Sequence, residues 1–372
     1  MRITSVTGHH VRTGVRLIED GGIAPYAGSQ DKAGVSHAQS LLIRVSTDDG
    51  VDGWGEINTG FPLAVDRALV DEWIAPTIVG LEAGDIIRVI DALDAPYWPQ
   101  LGRRALACAV EMALWDILGR SLGVPVSTLL GGRIRERVPV AFCMGLTDVP
   151  TAVTIATRAF AAGWTVLKTK IGIDLAGDLE RVRAITEATG GGLKLRLDAN
   201  QALDRVTALR MLPALEGYPI EYVEQPLPVG DFVGCRTLRD RTTVPIAINE
   251  DAYMPGGMAR AIEHGAIDAA VVDIEGAMGV RGLVELGALG RQFGIPVAHH
   301  CGWDLGVKAA MMLQVAAATP GLSLASDSTY AMHLDDVLVT RLSTENGEMA
   351  VPLGPGIGVD VDLDAVERLR VV

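Results

Sequence analysis

No run of about 18 uncharged apolar residues occurs in this 372-residue chain, so a membrane span is not expected. The first residues, MRITSVTGHHVRTG, have neither a continuous apolar stretch nor a small-residue cleavage site, which points to a cytoplasmic protein. Cysteine is scarce. Cys108, Cys143, Cys235 and Cys301 are the four present, and none forms a CxxC pair. A disulfide framework or a zinc site is therefore unsupported, in keeping with a reducing compartment. Positive charge is also in short supply, with 32 Lys and Arg against 46 Asp and Glu, a formal net charge of -14. Nucleic acid is not an expected partner, because phosphate binding needs a basic face. A small anionic substrate is still allowed, since a buried site can be locally cationic.

Length and apolar residues are plentiful. At 49% hydrophobic residues, the chain can bury a barrel of about 250 residues together with a smaller domain. From about residue 138 a pattern repeats. A short run rich in Val, Ile and Leu ends in polar residues, and an amphipathic stretch follows. The runs are VPVAFC, TVLKTK, LKLRLDAN, IEYVEQP, VPIAINED, IDAAVVDI, IPVAHH and LSLASD. Their ends, at Cys143, Lys170, Asp198, Glu224, Glu250, Asp273, His300 and Asp327, are spaced 23 to 28 residues apart. Eight such strand–helix units predict a parallel α/β barrel over 126–345, with an open doubly wound sheet as the competing arrangement. Residues 1–125 read differently, as a strand meander followed by helices, an α+β domain. Within it, Gly53-Trp54-Gly55-Glu56 reads as a tight hairpin exit. The polar, Gly-rich stretch 21–34 lacks apolar periodicity and reads as a mobile lid loop or a plain surface loop.

Barrel enzymes keep their chemistry at the C-terminal ends of the strands. Charged side chains end six of these strands in succession, and buried strands rarely tolerate unpaired charge. Asp198, Glu224 and Glu250 end three consecutive strands. Three converging carboxylates repel unless a cation sits among them, and oxygen ligands favour Mg²⁺, with Mn²⁺ as a substitute. Salt bridges to barrel lysines or arginines are the alternative. Asn249 competes with Glu250 for the third ligand position, since a shift of one residue would bring in its amide oxygen. Lys168 and Lys170 alternate along one strand and so face the same side. Two such lysines should lower each other's pKa, which suits a neutral amine acting as base; merely neutralising the carboxylates is their other reading. Asp273 and His300 end adjacent strands, and an aspartate bonded to one imidazole nitrogen fixes the tautomer of the other. Tyr26, Asn200 and Asp327 are candidate substrate contacts.

At these residues the chain resembles the enolase superfamily, and within it the mandelate racemase and muconate lactonizing enzyme group. The likeness covers nearly the whole chain and rests on AVEMALWDILGRSLGVPVSTLLGG, KTKIG, LDAN, EQP, the NED run and FGIPVAHH. It implies a modified (β/α)7β barrel, an N-terminal α+β capping domain with the lid, and a C-terminal segment (346–372) that returns to that domain. It also implies Mg²⁺ on Asp198, Glu224 and Glu250, Lys170 as base with Lys168 beside it, and a homo-oligomer between dimer and octamer. The substrate so implied is a small carboxylate that loses its α-proton through an enediolate. Asp273 stands where lactonizing enzymes carry a lysine, and Asp followed by His one strand later is similar to mandelate racemase and the acid-sugar dehydratases. Dehydration of a sugar acid or other hydroxy acid is therefore the first expectation. Racemization or epimerization of a 2-hydroxy acid is the alternative, cycloisomerization a lesser one, and a non-catalytic binding barrel the reading from another class.

Overall fold

In a computed structural model the chain is described over residues 1–28, 34–59, 67–93 and 101–371, the side chains of 101–104 excepted. Residues 29–33, which hold most of the polar part of the lid stretch, lie outside the described residues. Strands β1 (Ile3–Gly14), β2 (His37–Thr47) and β3 (Asp52–Asn58) pair antiparallel in the order β1-β2-β3. The hairpin turn between β2 and β3 falls at residues 48–50, with Gly50 in the left-handed region at φ 80°.

The Gly-Trp-Gly-Glu run is therefore strand interior and not a hairpin exit. Its glycines serve close packing. The long helix Leu101–Leu122 lies across β3. A Cβ at Gly53 would come 2.1 Å from the Ala113 carbonyl oxygen, and one at Gly55 would come 1.8 Å from that of Ala109. Only residues without a side chain let the helix backbone approach this closely.

The second unit is the barrel. Strands β4 (Arg137–Cys143), β5 (Val166–Lys170), β6 (Lys194–Asp198), β7 (Ile220–Glu224), β8 (Ile246–Ile248), β9 (Ala269–Val272) and β10 (Val297–His299) pair parallel in chain order. β11 (Ser326–Ser328) pairs parallel with β4. Leu324 N donates to the Val297 carbonyl at 3.2 Å, which draws the approach to β11 against β10 and closes the ring. Each predicted apolar run holds one of these eight strands. A helix follows every barrel strand but the last. Several start at an aspartate whose side chain accepts from the first-turn backbone: Asp148, Asp174, Asp204 and Asp231. After β11 comes a hairpin of β12 (Thr344–Glu345) and β13 (Glu348–Ala350), and β13 runs antiparallel on β4. This is the (β/α)7β arrangement. The last residues reach β1, where Val371 N donates to His10 O and Arg12 N to Leu369 O, both at 2.9 Å.

One buried carboxylate ties the two units. Glu56 on β3 accepts from the backbone N–H of Leu305 at 2.6 Å and of Lys308 at 2.8 Å. It thereby caps the N-terminus of the buried helix Gly306–Ala318 from the other unit, where the helix dipole favours an anion. Ser40 Oγ donates to the same carboxylate at 2.8 Å.

Two outcomes follow. Gly55→Ala should lower stability by roughly 1–3 kcal/mol in urea unfolding, because the new methyl meets the Ala109 carbonyl. The second concerns Glu56, whose pKa rises from 4.5 to about 8 through burial, aided by Asp304. The folded protein then holds this proton more tightly than the unfolded chain. The contribution to stability is full below about pH 4.5 and is lost as pH climbs towards about 8. Glu56→Gln should remove that decline from the pH dependence of unfolding.

Candidate active site

The strand ends converge on a cluster organised by Lys168. Its ammonium, almost wholly buried, lies 2.8 Å from Glu224, 2.8 Å from Asp327 and 3.3 Å from Asp198. Strand alternation puts Lys170 on the same side, where its Nζ donates to Asp198 Oδ2 and Asn200 Oδ1, each at 2.7 Å. Asn200 N returns to Asp198 Oδ1 at 2.9 Å. Glu250 Oε1 accepts from Gln201 Nε2 at 3.2 Å and Asn200 Nδ2 at 3.4 Å, while its Oε2 is buried with no hydrogen-bond partner among the described residues. Asn200, Gln201 and Gln225 all take a positive φ just beyond β6 and β7. Such backbone is sparsely populated outside glycine and tends to gather at functional sites.

The pKa of Lys168 is not lowered as the sequence led one to expect. Burial opposes the charge on Lys168, but Asp327, Glu224 and Asp198 outweigh it and hold its pKa well above the usual lysine range. Lys168 is a fixed cation here. Burial also resists charge on Asp198, yet Lys170 and Lys168 hold its carboxyl below the ordinary carboxylate range. At Glu224, burial and the neighbouring Asp198 push the pKa up to about 7 despite Lys168. Asp327, offered by the sequence as a substrate contact, has both oxygens occupied: one takes Lys168, the other takes Arg196 Nη1 at 2.8 Å. It braces Lys168 from behind.

Asp273 follows β9 and His300 follows β10. The His300 Nδ1 to Asp273 Oδ2 distance is 3.4 Å. Burial and Lys168 disfavour a charged imidazole, but the Asp273 hydrogen bond and charge prevail and raise the His300 pKa. His299 is buried, with neither ring nitrogen partnered among the described residues. Tyr26 packs edge-on against Trp303 with ring centroids 4.9 Å apart. Its backbone exchanges hydrogen bonds with Val35 at 2.8 and 2.9 Å, and Ala27 O accepts from Leu146 N at 2.7 Å. The root of the lid stretch is thus anchored beside the exit of β4.

Sequence reasoning missed two buried cations. Arg196, on β6, lies inside the barrel behind Asp327 and over the Tyr222 ring. Lys308 pairs with Asp273, Asp304 and Glu275. A signal for Lys308 was present, since it is the one charged residue in the helix GVKAAMMLQVAAA.

The sequence expected a divalent cation on Asp198, Glu224 and Glu250. Among the described residues no three metal-binding side chains are already drawn together; two lysine ammoniums hold the carboxylates instead. The donor set still fits the ion. Asp198 and Glu224 end adjacent strands with the Lys168 ammonium between them, and Glu250, which opens a short 3-10 helix just past β8 and is not the strand end expected, is tied to the site through Asn200 and Gln201 and keeps a buried oxygen free. Asn249 donates from Nδ2 to Tyr253 Oη at 2.8 Å and to the Val271 carbonyl at 3.0 Å, which fixes the amide and leaves its oxygen as the rival donor.

Comparison with known proteins agrees with this architecture. Residues 22–131 match the mandelate racemase / muconate lactonizing enzyme N-terminal domain, and residues 151–365 match the enolase C-terminal domain-like family. Chloromuconate cycloisomerase CbnB of Cupriavidus necator is 28% identical over 342 residues, covering 89% of this chain and 92% of that protein. D-galactarolactone cycloisomerase of Agrobacterium fabrum is 28% identical over 350 residues, covering 89% and 91%. The crystal structure of an enolase from Streptomyces coelicolor, without Mg and with an ordered loop, aligns at a TM-score of 0.88 and 30% identity, covering 99% of this chain and 96% of that one.

The third ligand is open to direct measurement. In calorimetric titration with Mg²⁺, Glu250→Gln should weaken binding by at least about tenfold, whereas Asn249→Ala should change it less. The reverse ranking would move the ligand to Asn249.

Proposed function

The chain belongs to the mandelate racemase / muconate lactonizing enzyme family of the enolase superfamily, and from that premise we propose that it is an isomerase that racemizes or epimerizes a hydroxy acid at the carbon beside its carboxylate. Members of this superfamily are enzymes that use Mg²⁺ in removing such a proton. Dehydration, the first expectation from the sequence, finds less support, because the two relatives described above are cycloisomerases.

The observation that carries the reading is the placement of two proton-carrying groups. Lys170 ends β5 and His300 follows β10. Around the ring they are separated by β4 and β11 on one side and by β6 to β9 on the other. The carboxylates of β6 and β7 lie between them. A carbon held at this mouth would present one face to the amine and the other to the imidazole, as 1,1-proton transfer requires.

When bound by Asp198, Glu224 and Glu250, Mg²⁺ would supply positive charge towards the substrate carboxylate. The protein groups do the rest. Lys170 takes the α-proton on its face, the C–H electron pair passing into the carboxylate. Lys168 stays an ammonium and offsets the second negative charge that develops. His300, with Nδ1–H turned to Asp273, returns a proton from Nε2 to the opposite face. The reverse direction exchanges the two roles. Asn200 orients Lys170 through its Oδ1. Tyr26 and Trp303 form an aromatic wall that helps exclude water.

The named relatives favour a second reading, cycloisomerization. It would need one acid/base group rather than two. A panel of hydroxy acids, acid sugars and their lactones, incubated with enzyme and Mg²⁺ in D₂O and followed by NMR, separates these readings. Deuterium should appear at the α-carbon with loss of starting configuration and without loss of water. His300→Asn should slow inversion by about 10²–10⁴ while exchange from one configuration continues through Lys170. Formation of a keto acid with loss of water would return the enzyme to the dehydratases, and equal loss of exchange from both configurations would remove His300 from its role.

A further inference from the structure

Behind the Asp273–His300 pair lies a second buried lysine that the mechanism does not use. Lys308 occupies the first turn of the helix Gly306–Ala318, whose residues from Gly306 to Ala317 are all buried. A cation there faces the positive end of the helix dipole and loses its hydration, two costs that packing alone does not demand. Its Nζ is 3.0 Å from Asp273 Oδ1 and 3.1 Å from Asp273 Oδ2. Its other contacts are Glu275 Oε1 at 2.6 Å and Asp304 Oδ1 at 3.0 Å. Asp273 Oδ1 also accepts from Glu275 N at 2.8 Å. The aspartate is therefore gripped more closely by Lys308 than by His300, whose Nδ1 stands 3.4 Å away.

We propose that Lys308 is a positioning residue for the Asp273–His300 pair, dividing the Asp273 carboxylate between ammonium and imidazole and so fixing which ring nitrogen of His300 faces the substrate. The inference rests on the reading of His300 as an acid/base group. An aspartate devoted to His300 alone would hold it as imidazolium, a poor proton acceptor. Sharing with Lys308 leaves enough charge to keep Nδ1–H pointing at Asp273, and lets Nε2 both give and take a proton. The grip extends to the N-terminal unit, since Glu275 Oε1 also accepts from Asn58 N at the end of β3 at 2.9 Å. Asp304 accepts from Gly302 N at 3.1 Å and so holds the turn that carries Trp303. The other groups facing His300 are Lys168, Glu224 and Asp327 across the mouth, Tyr253 with its ring centroid 6.5 Å away, and His299 beside it in the chain.

The test reads the imidazole rather than turnover, so it stands whatever becomes of the proposed isomerization. Nitrogen-15 NMR of labelled histidines in the full-length, Mg²⁺-loaded protein, with His300→Asn for assignment, reports tautomer and titration midpoint. In the wild type His300 should carry its proton on Nδ1 when neutral. Lys308→Gln keeps donors but removes the charge. With Asp273 acting on the ring alone, the midpoint should rise by about one pH unit. Lys308→Arg should restore the wild-type value. Glu275→Gln leaves both Lys308 and Asp273 in place and serves if Lys308→Gln does not fold. With one carboxylate fewer, Lys308 turns further to Asp273, and the midpoint should fall. A folded Lys308→Gln with unchanged tautomer and midpoint overturns the proposal and leaves Lys308 as a neutraliser of the acidic cluster, as does an unmoved midpoint in Glu275→Gln.

Discussion

The contact on which this site depends is the one between the Lys168 ammonium and three buried carboxylates, Asp198, Glu224 and Asp327. None of these charges is affordable alone in a barrel interior, where an unpaired ion loses far more hydration than packing returns. Together they are mutually compensated. Arg196 closes the arrangement from below by taking the second oxygen of Asp327. The same compensation explains why the strand ends can be so polar while the strands behind them are so apolar. It also sets the terms for a metal: an added cation meets carboxylates that are already paired, and the lysines must yield contacts to it.

The two units are joined by the same physics on a second cluster. Glu56 caps a barrel helix from β3, Glu275 accepts from Asn58 at the end of β3, and Asp116 accepts from both Trp54 N and Ile357 N. Each satisfies backbone donors with a carboxyl group, fully buried at Glu56 and Asp116 and partly buried at Glu275. Of the three, Glu275 also touches Asp273, to which its backbone N–H donates. Position of the cap and chemistry of the dyad thereby share a residue.

Much of this was legible in the sequence. Eight apolar runs at near-equal spacing announced the barrel, and their ends included Lys170, Asp198 and Glu224, which gather with Lys168, and Asp273 and His300, which pair. Strand alternation sufficed to put both lysines on one side. Other features were hidden because they depend on contacts between distant segments. The glycines of Gly53-Trp54-Gly55 look like a turn until a helix is laid across them. The pKa of Lys168 depends on how many carboxylates reach it, and the sequence counts only its neighbour Lys170. Asp327 reads as a pocket residue until Arg196, 131 positions away, is found on its far side. Lys308 stands out as the one charged residue of its apolar helix, but the carboxylate it grips, Asp273, lies 35 positions away. The polar tip of the lid stretch, Ser29 to Lys32, falls outside the described residues.

The central claim is that Asp198 and Glu224, held by Lys168, form with Glu250 a cation site for carboxylate chemistry and not a purely structural ion-pair network. Anomalous diffraction from crystals soaked in Mn²⁺ tests it most directly. The account predicts a single strong peak bounded by Asp198, Glu224 and Glu250, with Lys168 drawn off at least one of its carboxylates. A structure in which Lys168 keeps all three of its partners and no manganese appears among these residues would contradict it.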